Sequence, residues 1–390
     1  MTLTDIDIKG YRSVRKLRLP LRQLTVLIGG NGVGKTNLYR SIELLHAAAR
    51  GTLADEIARE GGLASIFWAG GRNLTGDGSF DPMYRTDGYR KHEGGNRLVL
   101  EARLEIDDFA PTYGIELGFA NPKYDAAFAG EAQVKAEFLD IRAGKRDIRL
   151  MERANGAVWA RGPGGERETL DERALAAETA LSTVRGGQPE IALVRHELSN
   201  WRFFHGFRTD ADSTLRRPCR AITSPLLASD GSNLPAVFAT LRHIREETVD
   251  LDTAVSLAFP GAELVVPYPE DFATFGLIFP ETPKRTFWAH ELSDGTLQFM
   301  ALMGALLSYR LPPFIALNEP ETSLHPSLLP ALAKTIVKAA ERAQIWVVTH
   351  SQPLADAIEA ESGVAPREVI RTDDGTAIRG LSSLGVFDDD

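Results

Sequence analysis

The stretch Gly29-Gly30-Asn31-Gly32-Val33-Gly34-Lys35-Thr36 decides the fold of this 390-residue chain. It follows Leu24-Thr25-Val26-Leu27-Ile28, a continuous apolar run typical of a strand buried on both faces. It precedes residues 37–49, in which apolar side chains recur at helical spacing. The order strand, glycine-rich loop, helix, with the pattern G-x-x-x-x-G-K-[ST], predicts a loop that binds phosphate groups.

The residue types of this loop define its expected chemistry. Glycines allow successive backbone N–H groups to turn inward around β- and γ-phosphate oxygens, helped by the positive end of the helix dipole. Lys35 is expected to reach those phosphates, and the Thr36 hydroxyl is expected to ligate Mg²⁺. The loop therefore predicts a nucleotide and Mg²⁺ as ligands.

A second apolar run, Phe314-Ile315-Ala316-Leu317, ends in Asn318-Glu319. Ligands of open α/β sheets bind at the carboxyl ends of strands, so Glu319 is expected beside the phosphate loop. A carboxylate there can orient and deprotonate a water molecule for attack on the γ-phosphate. Glu319 is therefore the predicted general base.

A third segment, Glu291-Leu292-Ser293-Asp294-Gly295-Thr296, precedes a stretch with helical spacing that runs to Leu307. Ser293 is a good helix N-cap, and a helix N-terminus beside a glycine is an anion site. Alone, this pattern fits an ordinary helix start equally well. Its place just before the Glu319 strand favours a role in ligand binding.

Composition limits the classes of function. The chain has 44 Lys and Arg against 53 Asp and Glu, a net charge of −9, which argues against a protein that coats nucleic acid with its whole surface. Its single cysteine, Cys219, excludes an intrachain disulfide and a multi-cysteine metal site, and we interpret it as a packing residue. No signal peptide or membrane span is indicated, so a cytoplasmic protein without a membrane partner is expected.

The order of elements predicts an α/β fold whose two ends form one domain with a mostly parallel sheet. Alternating apolar residues predict an antiparallel meander inserted between the ends, and residues 70–96 predict a long loop. Helix formers near Leu170 to Leu181 predict a helix in the insertion. The expected divisions are residues 1–70, 71–210 and 211–390.

These segments together resemble the ABC-type predicted ATPases of the RecF/SMC/OLD-like AAA family. The resemblance covers residues 1–51 and 221–351, and extends only loosely to the middle of the chain. Similar flanking segments are Lys9–Ser13, Trp201–His205 and Asp230–Leu234. The matched motifs are Gly29–Thr36 as Walker A, Leu292–Thr296 as signature, Phe314–Glu319 as Walker B, Ser323–Pro326 as D-loop and Val347–Ser351 as the switch-histidine strand.

The resemblance implies a P-loop NTPase fold with an ABC-type ATPase head that closes as a head-to-tail homodimer around two ATP molecules. Glu319 is then the general base and His350 the γ-phosphate sensor. Ser293 and Gly295 of one protomer touch the γ-phosphate held by the other. The implied nucleotide-binding residues are Arg12, Gly29, Asn31, Gly32, Val33, Gly34, Lys35, Thr36, Asn37, Ser293 and Gly295, with Thr36 and Asn318 for Mg²⁺.

The chain departs from the family pattern in two ways. Asn318 stands where the family most often has Asp, and a neutral amide holds a Mg²⁺-bound water less strongly than a carboxylate, so weaker Mg²⁺ dependence or slower turnover is expected. No long coiled coil is indicated, and the 40 residues after His350 are too few for a nuclease domain. DNA cleavage would then require a partner effector subunit.

Two interpretations of the segment 201–220 stay open. Its five arginines alternate with aromatic residues, as in a surface that binds nucleic acid, or the aromatic residues are core and the arginines pair with carboxylates. The resemblance also leaves two functions, a Mg²⁺-dependent ATPase in DNA repair or defence against foreign DNA, and an ATP-loaded sensor that hydrolyses negligibly and gates a partner.

Overall fold

The computed structural model describes residues 1–68, 97–107, 109–119, 128, 130–144, 146–154, 156–162, 164–170, 175–185, 187–244, 248–268 and 270–388. The loop expected at residues 70–96 lies outside them. The described chain forms two compact units. The first comprises Met1–Arg22, Gly30–Trp201 and Glu368–Asp390, and the second comprises Gln23–Gly29 and Arg202–Arg367.

The helices and strands are as follows. The α-helices are α1 (Lys35–Arg50), α2 (Leu53–Arg59), α3 (Leu63–Ile66), α4 (Ala180–Thr183), α5 (Pro189–Ser199), α6 (Leu234–His243), α7 (Thr248–Ala258), α8 (Asp294–Leu307), α9 (Leu329–Ala340) and α10 (Gln352–Ser362). The strands are β1 (Thr2–Tyr11), β2 (Val14–Pro20), β3 (Leu24–Ile28), β4 (Leu98–Glu105), β5 (Pro111–Phe119), β6 (Ala132–Ala143), β7 (Arg146–Ala154), β8 (Ala157–Arg161), β9 (Arg167–Leu170), β10 (Arg202–Phe204), β11 (Cys219–Arg220), β12 (Glu263–Val265), β13 (Phe272–Ala273), β14 (Gly276–Ile278), β15 (Thr286–Trp288), β16 (Phe314–Asn318), β17 (Gln344–Thr349), β18 (Arg367–Thr372) and β19 (Gly375–Ile378).

The first unit is built on an eight-stranded antiparallel sheet with the order β2-β1-β4-β5-β6-β7-β8-β9. The meander expected from alternating apolar residues is confirmed, since each of β4 to β8 pairs with the next strand. Sequence reasoning did not reveal that β1 extends this sheet by pairing with β4, for example Ile6 with Ala102.

Of the stretch from Leu170 to Leu181 where a helix was expected, residues 171–174 lie outside the described residues, and only the last two of the others are helical, so the expectation is wrong for the remaining described ones. Leu170 ends β9, which pairs with β8, and the helix α4 begins only at Ala180. Pairing with β8 overrides helix propensity at Leu170 alone, and the described residues 175–179 form neither helix nor strand.

A buried carboxylate, Glu137 on β6, holds α4 against the sheet. Its two oxygens accept hydrogen bonds from Ala180 N at 2.6 Å, Leu181 N at 2.8 Å and the Tyr113 hydroxyl at 2.9 Å. Burial raises the pKa of the Glu137 carboxyl, while these hydrogen bonds and the charge of Arg153 act in the opposite direction. Glu137 therefore satisfies the open N-terminus of α4 from within the core.

Helix α1 packs against α4 and α5 in the same unit. The Thr179 hydroxyl donates to Ala48 O at 2.6 Å, and His46 Nδ1 lies 2.8 Å from Leu198 O. The helix ends at Gly51, whose φ of 76° is the left-handed conformation that glycine adopts readily at a helix C-terminus.

The second unit contains four parallel strands in the order β10-β16-β17-β3, which confirms the expected parallel sheet. Apolar side chains of these strands pack against α6 to α10 in one continuous core. Two smaller antiparallel sheets, β12-β14-β15 and β11-β13, belong to the same unit. Among the described residues, no helix is both long and apolar enough to span a membrane.

Candidate nucleotide-binding site

The phosphate loop leads directly into α1, as its pattern predicts. Gly32 and Gly34 have φ values of 79° and 107°, which favour glycine. Lys35 is the first residue of α1 and is buried, and its Nζ donates to Gly30 O at 2.8 Å. Asn31 and Thr36 are exposed.

The loop needs glycine at position 34 for a second reason. A Cβ on Gly34 would lie 2.0 Å from Thr376 Oγ1 and 2.6 Å from Ser13 Oγ, both far inside van der Waals contact. At Gly30 and Gly32, in contrast, a Cβ would meet nothing within 4 Å. The first half of the loop is thus open, and its second half is packed by hydroxyl groups from β19 and the β1–β2 turn.

Those hydroxyl groups form a polar cluster with the loop. Ser13 Oγ lies 2.7 Å from Thr376 Oγ1 and accepts from Asn37 Nδ2 at 2.6 Å. Thr376 Oγ1 donates to Val33 O at 2.8 Å. We name Ser13, Val33, Asn37 and Thr376 the hydroxyl relay. Asn37, expected to bind nucleotide, here holds Ser13.

Arg12, the other nucleotide-binding residue expected before the loop, pairs with a carboxylate. Its Nη2 lies 2.9 Å from Glu60 Oε2, to which the Tyr11 hydroxyl also donates at 2.8 Å. Burial is the main cause that raises the pKa of Tyr11, with the Glu60 charge adding to it. Arg12 has a φ of 44°, and its buried Nε has no hydrogen-bond partner among the described residues.

In the second unit, three neighbouring strands end in register at one edge of the sheet. Asn318 on β16 pairs with Val348 on β17, and Thr349 pairs with Ile28 on β3. The next residues are Glu319, His350 and Gly29. The Walker B and switch-histidine segments therefore leave the sheet at the edge where β3 leads into the phosphate loop.

Glu319 and His350 lie together at this edge. Glu319 N donates to Val348 O at 2.7 Å, and Glu319 Oε1 lies 3.5 Å from His350 Nδ1. The φ of Glu319 is 49°, a left-handed conformation that costs about 1–3 kcal/mol for a residue with a side chain. Both side chains are partly exposed, with exposed fractions of 32% for Glu319 and 45% for His350. The strained turn thus presents a carboxylate beside an imidazole that solvent can reach.

The Asn318 side chain fits a Mg²⁺-bound water or Mg²⁺ itself. Its Oδ1 is buried and has no hydrogen-bond partner among the described residues. An unpaired buried carbonyl oxygen costs free energy, and Mg²⁺ prefers oxygen ligands. Asn318 Oδ1 is therefore chemically suited to Mg²⁺ or to a Mg²⁺-bound water.

Sequence reasoning missed Glu321. This buried carboxylate accepts from Thr349 Oγ1 at 2.5 Å, from His350 N at 3.1 Å and from Ser351 N at 3.2 Å. Its Oε1 also lies 3.3 Å from His350 Nδ1. Glu321 therefore fixes the turn that carries His350. The signal was present in Asn318-Glu319-Pro320-Glu321, but only the pairing of β16 with β17 shows what Glu321 contacts.

The segment Leu292–Thr296, expected from the resemblance to be the signature, lies at the start of α8. Ser293 is the N-cap, its Oγ accepts from Thr296 N at 3.3 Å, and it is exposed. A Cβ on Gly295 would lie 2.8 Å from Ser323 O, so the D-loop passes too close for a larger residue. Arg216 braces the segment through Asp294 Oδ1 at 2.7 Å and Leu292 O at 2.8 Å.

The contacts of the segment 201–220 support the interpretation as core and ion pairs. Trp201, Phe204 and Phe207 are buried. Arg208 pairs with Asp210, and Arg217 lies 3.6 Å from Asp212. Cys219 is partly buried, and burial raises the pKa of its thiol, which disfavours the reactive thiolate and agrees with a packing role.

A parallel sheet in which one buried strand leads into a glycine loop and a helix, and another strand ends in Asn-Glu, indicates a P-loop ATPase fold of the RecF/SMC-like group. Residues 24–356 match the family model described as "AAA domain, putative AbiEii toxin, Type IV TA system". The chain therefore belongs to this family of ATPases.

Known proteins and structures agree with this class. The chain is 33% identical over 100 residues to the chromosome partition protein Smc of Synechococcus sp. (strain ATCC 27144 / PCC 6301 / SAUG 1402/1). That match spans 25% of this chain and only 8% of the relative.

Two solved structures share the fold at 14% identity. The first is an SmcHead bound to the C-winged helix domain of ScpA, with a TM-score of 0.57 over 98% of each chain. The second is the Smc head domain with an extended coiled coil bound to the C-terminal domain of ScpA derived from Pyrococcus furiosus. It has a TM-score of 0.50 over 97% of this chain and 96% of that chain.

Proposed function

We propose that the chain binds ATP at the phosphate loop and hydrolyses it. The observation that supports this proposal is the shared strand edge, where His350 follows β17, the neighbour of the strand β3 that enters the loop, and Glu319 follows β16, the next strand after β17. Backbone N–H groups of the loop and Lys35 would hold the phosphates, because both donate to anions at a helix N-terminus.

In this mechanism, Glu319 accepts the proton of the attacking water, and His350 orients that water or the γ-phosphate. The 3.5 Å between Glu319 Oε1 and His350 Nδ1 allows both to contact one small group. Thr36 and Asn318 would hold Mg²⁺, which supplies charge neutralisation on the phosphates when bound. Glu321 keeps the His350 backbone in place during these steps.

The proposal includes a head-to-tail dimer. Ser293 is exposed at the N-terminus of α8, and the first N–H groups of a helix attract anions, so a second protomer could present this end to bound ATP. We expect phosphate release from the purified chain with Mg-ATP, and an ATP-dependent doubling of mass in light scattering. A chain that binds ATP but neither pairs nor releases phosphate would contradict this function.

The second candidate function is an ATP-loaded sensor that gates a partner, and Asn318 is the observation that favours it. We expect Asn318→Asp to tighten Mg²⁺ binding and raise turnover several-fold, because a carboxylate holds a metal-bound water more strongly than an amide. The measurement is the rate of phosphate release over a Mg²⁺ titration. Unchanged rate and unchanged Mg²⁺ affinity would show that Asn318 does not limit hydrolysis.

The partner and pathway of either function are also proposals. We infer a partner effector protein, since the similar SMC heads are bound to domains of ScpA. A role in DNA repair or in defence against foreign DNA follows from the family resemblance. Arg208 and Arg217 do not specifically support DNA binding, because both lie beside carboxylates of the same segment.

A further inference from the structure

We propose that Ser13 and Thr376 are positioning residues that set the orientation of the phosphate loop through the hydroxyl relay. Thr376 lies on β19, 343 residues after Val33, and its side chain is buried. The inference rests on the proposed binding of ATP at this loop, and it assigns a function to the C-terminal hairpin β18–β19.

The direction of each hydrogen bond in the relay is fixed by counting protons. Asn37 Nδ2 can only donate, so Ser13 Oγ accepts there. Val33 O can only accept, so Thr376 uses its single hydroxyl proton on that carbonyl. The remaining contact, 2.7 Å long, must therefore run from the Ser13 hydroxyl to Thr376 Oγ1. All hydrogen bonds of the relay therefore run in the same direction: Asn37 donates to Ser13, Ser13 donates to Thr376, and Thr376 donates to Val33 O.

The last hydrogen bond of the relay, from Thr376 to Val33 O, determines the direction of the Gly34 N–H in the loop. The peptide bond between Val33 and Gly34 is planar and trans, so its carbonyl oxygen and its N–H point in opposite directions. Fixing Val33 O on Thr376 therefore turns the Gly34 N–H away from Thr376. An N–H aimed into the loop before ATP arrives binds phosphate without the cost of reorienting the peptide.

The packing around the relay leaves this orientation little freedom. Thr376 N donates to Ser13 O at 2.8 Å, so backbone and side chain both join β19 to the β1–β2 turn. A Cβ on Gly375 would lie 2.4 Å from Ser13 O, so the hairpin approaches as closely as glycine permits. At Gly34, the missing Cβ provides the space that the two hydroxyl groups occupy.

The test compares Thr376→Val with Thr376→Ser. Valine keeps the shape of threonine but has no hydroxyl, so we expect the Kd for a fluorescent ATP analogue, and the KM for ATP, to rise about tenfold. One mis-aimed N–H to a charged phosphate is worth roughly this factor. The kcat should change much less, because the loss concerns binding. Thr376→Ser keeps the hydroxyl and should restore affinity to near the unmodified level.

The matched control is Thr372→Val in the same hairpin. The Thr372 hydroxyl donates to Gly375 O at 3.0 Å and does not contact the loop, so its loss should leave the Kd unchanged. If Thr376→Val does not fold, Ser13→Ala removes the hydroxyl that donates to Thr376 Oγ1. It should weaken ATP binding in the same direction but by less, because the bond from Thr376 to Val33 O remains.

The outcomes separate this inference from the proposed function. ATP affinity unchanged in both Thr376→Val and Ser13→Ala would overturn the relay and leave the ATPase proposal standing. Equal weakening by Thr376→Val and Thr376→Ser would also overturn it, since packing rather than the hydroxyl would then matter. Failure of the unmodified chain to bind ATP would instead overturn the proposed function.

Discussion

Replacing Glu319 with glutamine is expected to lower the rate of ATP hydrolysis by about 10²–10⁴-fold while ATP affinity stays within about twofold. General-base catalysis contributes rate factors of this size, and a neutral amide cannot accept the proton of the attacking water. Glutamine keeps the shape of the side chain beside His350, so the turn should persist. Phosphate release and a binding titration on the same protein measure both effects.

Glu319→Gln should also convert the ATP-dependent dimer into a long-lived species, because the step that ends it is slowed. Light scattering after addition of Mg-ATP would follow the decay of the dimer. Glu359→Gln is the matched control, since Glu359 is exposed on α10 and away from the strand edge. If Glu319→Gln hydrolyses ATP as fast as the unmodified chain, Glu319 is not the base and the sensor function becomes the better explanation.

Replacing Glu137 with alanine is expected to reduce the free energy of unfolding by about 3–5 kcal/mol. The change removes the acceptor of Ala180 N, Leu181 N and the Tyr113 hydroxyl at once. Each buried donor without a partner costs about 1–3 kcal/mol, and a nearby buried charge, Arg153, loses its compensating carboxylate. Urea unfolding followed by circular dichroism measures the loss.

The control for Glu137 is Glu105→Ala, at the exposed end of β4 in the same sheet. A surface substitution of this kind should change the stability by no more than about 0.5 kcal/mol. If both variants unfold at the same urea concentration, Glu137 does not anchor α4. Glu137→Gln should fall between them, because its amide keeps one acceptor oxygen but places an NH₂ group where Ala180 N donates.

The parts of the site that the sequence predicted are local in the chain. The phosphate loop Gly29–Thr36 could be recognised from the sequence alone, because its strand, glycines, lysine and helix are consecutive and its chemistry depends on that order. The strands β16 and β17 were equally evident from their continuous apolar runs. At Leu170, pairing with β8 outweighs the local helix propensity, and the described helix α4 begins only at Ala180.

The parts that could not be predicted depend on contacts between distant residues. Thr376 is an ordinary strand residue until β19 is placed beside Ser13. Glu321 is one of several acidic residues after β16 until β17 brings Thr349 and His350 to it. No local pattern distinguishes such residues, because their partners come from other segments of the chain.

The parallel pairing of β3 with β17 affects how the protein is made. Leu24 pairs with Ile345, 321 residues later, so the ribosome must synthesise most of the chain before β3 has its partner. At about 5–20 residues per second, this apolar strand waits roughly 16–64 s without its neighbour. The nascent chain is therefore exposed to aggregation during that interval, and a chaperone that covers residues near β3 should raise the yield of folded protein.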